Sequence, residues 1–149
     1  MQLPGLEALY DDYKEKGIDE VYCLSVNDSF VMNAWAKEHE IENVKMIPDG
    51  SGEFTRDMDM IVFKPAQNFG LRSWRYAMIV NDMEIEQMIV EPGKNQQGLD
   101  DDPYEETKPE NILSNLLATR LSGISFSIIF LLCLSQIIYK NGSLFHKGK

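Results

Sequence analysis

The run Val21-Tyr22-Cys23-Leu24-Ser25-Val26, leading through Asn27-Asp28 into Ser29 to Trp35, restricts this chain more than any other stretch. Its first half is mostly apolar, the pattern of a strand buried on both faces. Asn27 or Asp28 then offers a side-chain oxygen to the first amides of a helix. Phe30, Val31, Ala34 and Trp35 recur at the spacing of one face of that helix. A buried strand passing straight into a capped amphipathic helix is the unit from which α/β domains are built. The expected fold class is α/β.

On the N-terminal side, Leu3, Leu6, Leu9, Tyr10 and Tyr13 recur at helical spacing, and Gly17 after Lys14-Glu15-Lys16 is a C-terminal stop. The chain thus starts at Met1-Gln2-Leu3-Pro4 inside a helix rather than in a signal peptide. Beyond the central unit, Val44 to Ile47 reads as a short strand stopped by Pro48, with Gly50 and Gly52 supplying a turn. Phe54 to Met60 fits a short helix. Trp74 to Val80 and Met83 to Val90 read as a hairpin around Asn81-Asp82. Asn95 to Glu106 is polar and reads as a loop. Thr107-Lys108-Pro109-Glu110 has the form of a capping box, with Ile112, Leu113, Leu116 and Leu117 as the buried face of the helix it opens.

The 149 residues suffice for one domain with a real core. An excess of 24 acidic over 14 basic side chains, a net charge of −10, argues against a nucleic-acid partner, which needs Lys/Arg surfaces. The two cysteines, Cys23 and Cys133, lie far apart and carry neither a disulfide framework nor metal-ligand spacing. Their usage suits a reducing compartment. His39 and His146 have no partners at ligand or triad spacing, and Asp100-Asp101-Asp102 with Glu105-Glu106 reads as a solvated acidic loop. No metal or cofactor is expected.

The tail changes character. From Leu121 to Tyr139 the chain carries no charge, between Arg120 and Lys140. A helix of that length would be about 28 Å long, close to the hydrocarbon thickness of a bilayer. The sequence therefore permits a single C-terminal transmembrane helix over 121–139. Five polar residues (Ser122, Ser125, Ser127, Ser135, Gln136) weaken it as a span. A buried soluble helix and an incidental hydrophobic end are the alternatives.

Several ordered blocks carry a family resemblance. They are Leu3-Pro4-Gly5, Cys23 to Asp28 with Phe30-Val31 and Trp35, Pro48-Asp49-Gly50 with Gly52-Glu53-Phe54, Phe69-Gly70 with Arg72-Ser73 and Arg75-Tyr76, and Glu91-Pro92. Together they resemble the peroxiredoxin-5 (type II) family over roughly residues 2–117. Asp102-Pro103-Tyr104-Glu105 is similar to the tail of its one-cysteine branch, recycled by glutaredoxin or glutathione. The resemblance divides the chain into an incomplete redoxin domain, 1–118, and a hydrophobic tail, 119–149.

It implies a thioredoxin-like mixed sheet with flanking helices. It also implies that the family's N-terminal strands have no counterpart here. The family's reactive cysteine lies in a Pro-Gly-Ala-Phe-Thr-Pro-x-Cys segment upstream of the Leu-Pro-Gly block, and the chain begins after that point. Cys23 does not replace it: mid-strand burial raises a thiol pKa and blunts its reactivity.

Of the site, Arg75 remains. It matches the family arginine that contacts the thiolate and the substrate oxygen, although taken alone an arginine at a strand start reads as a surface ion pair. Arg72, nearby, has no assigned role. The strand that precedes the family's cysteine lies between those matched by 20–26 and 74–80. Its absence predicts marginal stability, with 20–26 pairing directly with 74–80 or aggregation through open edges.

The resemblance implies a thiol peroxidase reducing hydrogen peroxide and alkyl hydroperoxides with glutaredoxin or glutathione, this chain being inactive alone. A homodimer, or a heterodimer with a full-length relative, is expected, with Phe69 to Trp74 as exposed loop aromatics. The alternative is a non-catalytic, membrane-tethered redoxin-like interaction module. The expected location is intracellular, cytoplasmic or mitochondrial, with the tail as a membrane anchor in the alternative reading.

Overall fold

A computed structural model describes residues 2–65, 68–96, 102–120 and 128–132, with residues 117–120 and 128–132 given by their backbone alone. Cys133, His146, Asp100, Asp101 and the remainder of 121–139 lie outside the described residues.

The first helical stretch is two short helices, α1 (Gln2–Ala8) and α2 (Tyr10–Glu15). Leu3, Leu6 and Tyr13 are fully buried along it. Gly17, with φ 82°, ends the second helix as the sequence suggests: left-handed backbone costs glycine nothing. The chain then enters β1 (Glu20–Ser25), in which Val21, Cys23 and Leu24 are core residues. Asp28 is the cap of α3 (Ser29–Glu38), its Oδ1 accepting the Val31 amide at 2.9 Å.

The buried face of α3 differs from the expected one. Met32 is its buried residue and Trp35 packs on the core, whereas Phe30 is 83% exposed and Ala34 is exposed. Phe30 and Ala34 have the right periodicity, but the buried face is rotated about the helix axis away from them, towards Met32 and Trp35.

A parallel strand, β2 (Lys45–Pro48), pairs with β1 from Tyr22↔Lys45 to Ser25↔Pro48. A short helix, α4 (Glu53–Asp57), follows, starting slightly before the expected span. Asp49 secures its start by accepting from the Thr55 amide at 2.9 Å and the Thr55 hydroxyl at 2.7 Å. A two-stranded ribbon, β3 (Ile61–Lys64) with β4 (Gly70–Ser73), is a finding of the structure that the pattern reading did not contain.

The expected hairpin is present as β5 (Tyr76–Asn81) and β6 (Glu84–Val90). Its turn residues Asp82 and Met83 both take left-handed φ, 47° and 69°, the twist that tight hairpins prefer. The described part of 95–106 has no helix or strand, as expected of a loop.

Pro109 opens α5 (Pro109–Arg120), in the first turn where its missing N–H costs nothing. The capping box does not form as expected. The Thr107 hydroxyl donates to Glu91 Oε1 at 2.7 Å, and the helix begins two residues later. Ile112 and Leu116 are fully buried, with Leu113 packed beside them. Gly5 lets α1 approach this helix: a β-carbon there would stand 3.0 Å from the Pro109 ring.

The tail contributes β7 (Ile128–Leu132), which lies at the centre of a five-stranded sheet of order β2-β1-β7-β5-β6. It runs parallel to β1, from Glu20↔Ile128 to Leu24↔Leu132, and antiparallel to β5, from Tyr76↔Leu132 to Val80↔Ile128. Two expectations are corrected here. Segments 20–26 and 74–80 do not pair directly, because β7 separates them. Residues 128–132 are strand rather than part of a C-terminal hydrophobic helix, and among the described residues no helix is long and apolar enough to cross a membrane. Ile128, Ile129 and Phe130 are strand-favouring types, and a central position satisfies backbone groups on both edges.

Two core clusters result. One joins α1, α2 and α5 to β1 and β5 through Leu3, Leu6, Tyr13, Val21, Ile79, Ile112 and neighbours. The other holds Leu24, Met60, Val62, Trp74, Tyr76 and Met78. Two substitutions separate the observed face of α3 from the expected one. Met32→Ala should cost about 2–5 kcal/mol in denaturant unfolding, whereas Phe30→Ser should stay within about 0.5 kcal/mol.

Candidate active site

Arg75 stands immediately before β5, between the buried residues Trp74 and Tyr76, and is itself only 6% exposed. A surface ion pair is thereby excluded. The guanidinium instead draws together segments distant in sequence. Its Nη1 donates to Gln2 Oε1 on α1 at 3.1 Å. Its Nη2 donates to both oxygens of Asp102, at 3.1 and 3.0 Å. The ring of Tyr104 lies 4.8 Å from the guanidinium carbon, a cation–π distance.

This is not the fork geometry in which two nitrogens share one carboxylate. One nitrogen carries the whole carboxylate, the second goes to an amide, and Nε is buried without a partner among the described residues. Asp102 therefore faces a buried cation; the solvated acidic loop expected from sequence does not describe it, although Glu105 does lie outward and pairs with Lys108 at 2.7 Å.

The surroundings are held by a buried carboxylate that pattern reading did not single out as a site residue. Glu91, 1% exposed, follows β6. Its amide donates to the Arg75 carbonyl at 3.1 Å, and its carbonyl accepts from Trp74 Nε1 at 2.8 Å. Its Oε1 accepts the amides of Glu105 and Thr107 and the Thr107 hydroxyl at 3.0, 2.8 and 2.7 Å. Gln2 closes the ring by donating Nε2 to the Thr107 carbonyl at 3.1 Å, and Tyr13 donates to the Pro109 carbonyl at 2.6 Å. The loop bearing Asp102 and Tyr104 is thus tied to the strand bearing Arg75.

Burial raises the Glu91 carboxyl pKa, but the donors from Thr107, Glu106 and Glu105 outweigh it and hold the group below its usual 4.5. Gln2, Glu91, Asp102 and Tyr104 lack any helical or alternating signal of their own; only the Glu91-Pro92 and Asp102-Pro103-Tyr104-Glu105 blocks marked their neighbourhood.

The other candidates are not brought to Arg75. Arg72 sits on β4, donating to the Leu71 carbonyl at 2.7 Å with its guanidinium 5.6 Å from the Phe69 ring. Cys23 is fully buried in β1. Trp74, expected among exposed loop aromatics, is 1% exposed in the core; the outward apolar pair of the ribbon is Phe63 with Leu71 across from it. Among the described residues no group of acidic, His or Cys side chains is placed to hold a metal ion.

A chain with this sheet, and with a buried arginine preceding its hairpin, has clear relatives. The redoxin family model matches residues 1–107. The chain belongs to the redoxin family, as a peroxiredoxin relative. A peroxiredoxin of Sinorhizobium fredii, y4vD, is 55% identical over 115 residues, 77% of this chain and 61% of that protein. Reduced Prx3 of Vibrio vulnificus, solved in complex with H2O2, superposes with a TM-score of 0.69 at 35% identity over 80% of this chain and 68% of that one. The Plasmodium falciparum antioxidant protein, a 1-Cys peroxiredoxin, gives 0.74 at 35% identity, covering 78% and 65%.

The chain spans less than two-thirds of the length of two curated peroxiredoxins that it matches, at 61% and 65%. Within this redoxin relative the matched span contains Gln2, Arg75, Glu91, Asp102 and Tyr104, and ends before α5 and β7.

Because the Glu91 carboxyl is lower in the fold than its usual 4.5, its bonds contribute fully above that pH and are lost as pH falls through the folded value. Stability by urea unfolding should therefore decline below about pH 4.5. Glu91→Gln should cost about 1–3 kcal/mol at pH 7 and flatten that decline; an unchanged acid slope would mean that Glu91 does not carry it.

Proposed function

We propose that this chain is the body of a peroxiredoxin-type thiol peroxidase in which Arg75 stabilises the reacting thiolate and the departing oxygen. The observation that supports this most is the burial of Arg75 at 6% exposure with an anionic oxygen against it. A guanidinium held there by Gln2 and Tyr104 is preorganised for negative charge, with little reorganisation left at the moment of reaction.

The chemistry is a two-electron displacement. A cysteine thiolate attacks one peroxide oxygen, the S–O bond forms as the O–O bond breaks, and the leaving hydroxide or alkoxide takes a proton. Two equivalents of a reducing thiol then return the sulfenic acid to thiol, releasing water and a disulfide. Glutathione or glutaredoxin is the proposed reductant, by likeness to the one-cysteine branch. A cytoplasmic or mitochondrial setting, where thiols stay reduced, is proposed with it.

Residues 1–149 hold two cysteines, Cys23 and Cys133, and no Pro-x-x-x-Thr-x-x-Cys segment. The chain alone is therefore proposed to be inactive, with Asp102 occupying the arginine that would otherwise face a thiolate. Two forms test the reading. Residues 1–149 should show no hydroperoxide-dependent oxidation of glutathione. A fusion carrying a strand and a Pro-Gly-Ala-Phe-Thr-Pro-x-Cys segment ahead of Met1, with residues 128–132 removed so that the added strand can take the place that β7 holds between β1 and β5, should gain it. Arg75→Gln in that fusion should lower kcat/KM on the order of 10²-fold or more. Turnover by the unfused chain, or an indifferent Arg75→Gln, contradicts the proposal.

A further inference from the structure

The sheet is two half-sheets that share no backbone hydrogen bond with each other. One half is β2 with β1 and the other is β5 with β6, and among the described residues β7 alone pairs with both. The facing edges belong to the most buried strands of the molecule: Val21, Cys23 and Leu24 on one side, and Tyr76 to Val80 on the other. Buried amides and carbonyls left unpaired cost about 1–3 kcal/mol each. The gap between β1 and β5 therefore requires an extended backbone on both edges, and a segment without charge, since a central strand is covered on both faces.

Residues 128–132, Ile-Ile-Phe-Leu-Leu, meet both requirements. Among the described residues they are also the last strand in chain order, although they lie at the centre of the sheet. Every other described element precedes them, and residues 121–127 separate them from α5. A strand that arrives last at a central position enters a groove whose walls the rest of the chain has supplied. The redoxin match stops at residue 107, so the strand that joins its half-sheets comes from outside it.

We propose that the space between β1 and β5 is a strand-accepting groove, and that the uncharged tail, through residues 128–132, is its built-in occupant. Recognition is by β-augmentation on two edges at once: backbone hydrogen bonds supply the affinity and an uncharged apolar sequence supplies the selectivity. The proposal rests on strand pairing alone and does not depend on any peroxidase activity.

Two experiments on the full chain test it. In the first, a protease site is introduced within residues 121–127 and the folded protein is cleaved. The released tail fragment should remain bound through gel filtration in buffer and separate only in denaturant; separation in buffer overturns the proposal. In the second, amide hydrogen exchange is read at residues 20–24 and 76–80. Phe130→Pro removes a backbone donor from β7 and should accelerate exchange in both segments by a hundredfold or more, with Phe130→Leu leaving it near the starting value. Equal protection in Phe130→Pro would show that the groove is closed without the tail. Mixing isotopically labelled and unlabelled chains identifies the donor: a strand supplied by a second copy would overturn occupation in cis.

Discussion

The pairing of β7 with β1 on one edge and β5 on the other is the constraint on which the rest of the structure depends. Each half-sheet has only two strands, and a two-stranded unit is at best marginal in water. The helices cannot substitute for the join. They cover the sheet through Leu3, Leu6, Tyr13, Ile112 and Leu116, and side-chain packing leaves strand-edge amides unpaired. An apolar pentapeptide between the halves converts two exposed ribbons into one continuous mixed sheet. The open edges then fall on β2, four residues long, and on β6. The short length of β2 and the alternate charged side chains of β6 are the usual means of keeping edges from pairing with other chains.

The candidate site hangs from the same sheet. Arg75 precedes β5, and the strand's register with β7 begins at its neighbour Tyr76. Its buried charge is tolerable only because Asp102, Gln2 and the ring of Tyr104 surround it; a buried cation with no partner would be far costlier. Those partners come from α1 and from a loop that Glu91 fixes through Thr107 and Glu105. Sheet, loop and arginine thus form a chain of dependence. The hairpin sets Arg75, the Glu91 carboxylate sets the loop, and the loop sets the charge on which a peroxidase reading relies.

Much of this was legible in the residues. The β1–α3 unit, its Asp28 cap, the left-handed stop at Gly17 and the β5–β6 hairpin all follow from local chemistry, and local chemistry needs no knowledge of distant partners. The ordered blocks shared with peroxiredoxins pointed to Arg75, and the structure buries it where the residue alone suggested a surface ion pair. The failures share a physical cause. Phe30 and Met32, two residues apart, lie on nearly opposite sides of one helix, and only the packed sheet decides which side is covered. Thr107 had two competing partners, an adjacent helix end and Glu91 sixteen positions away, and the distant one prevailed. The strands of the β3–β4 ribbon, four residues each, are too short to show an alternation.

Ile128 to Leu132 was the hardest segment, because an uncharged run satisfies a helix, a membrane span or a central strand equally well by periodicity. Only the empty place between β1 and β5 distinguishes them. Cross-strand nuclear Overhauser contacts on the full chain test this most directly. Backbone contacts from Phe130 to both Tyr22 and Met78 are the result expected from the register; contacts running instead between Tyr22 and Met78, with none to Phe130, would contradict it.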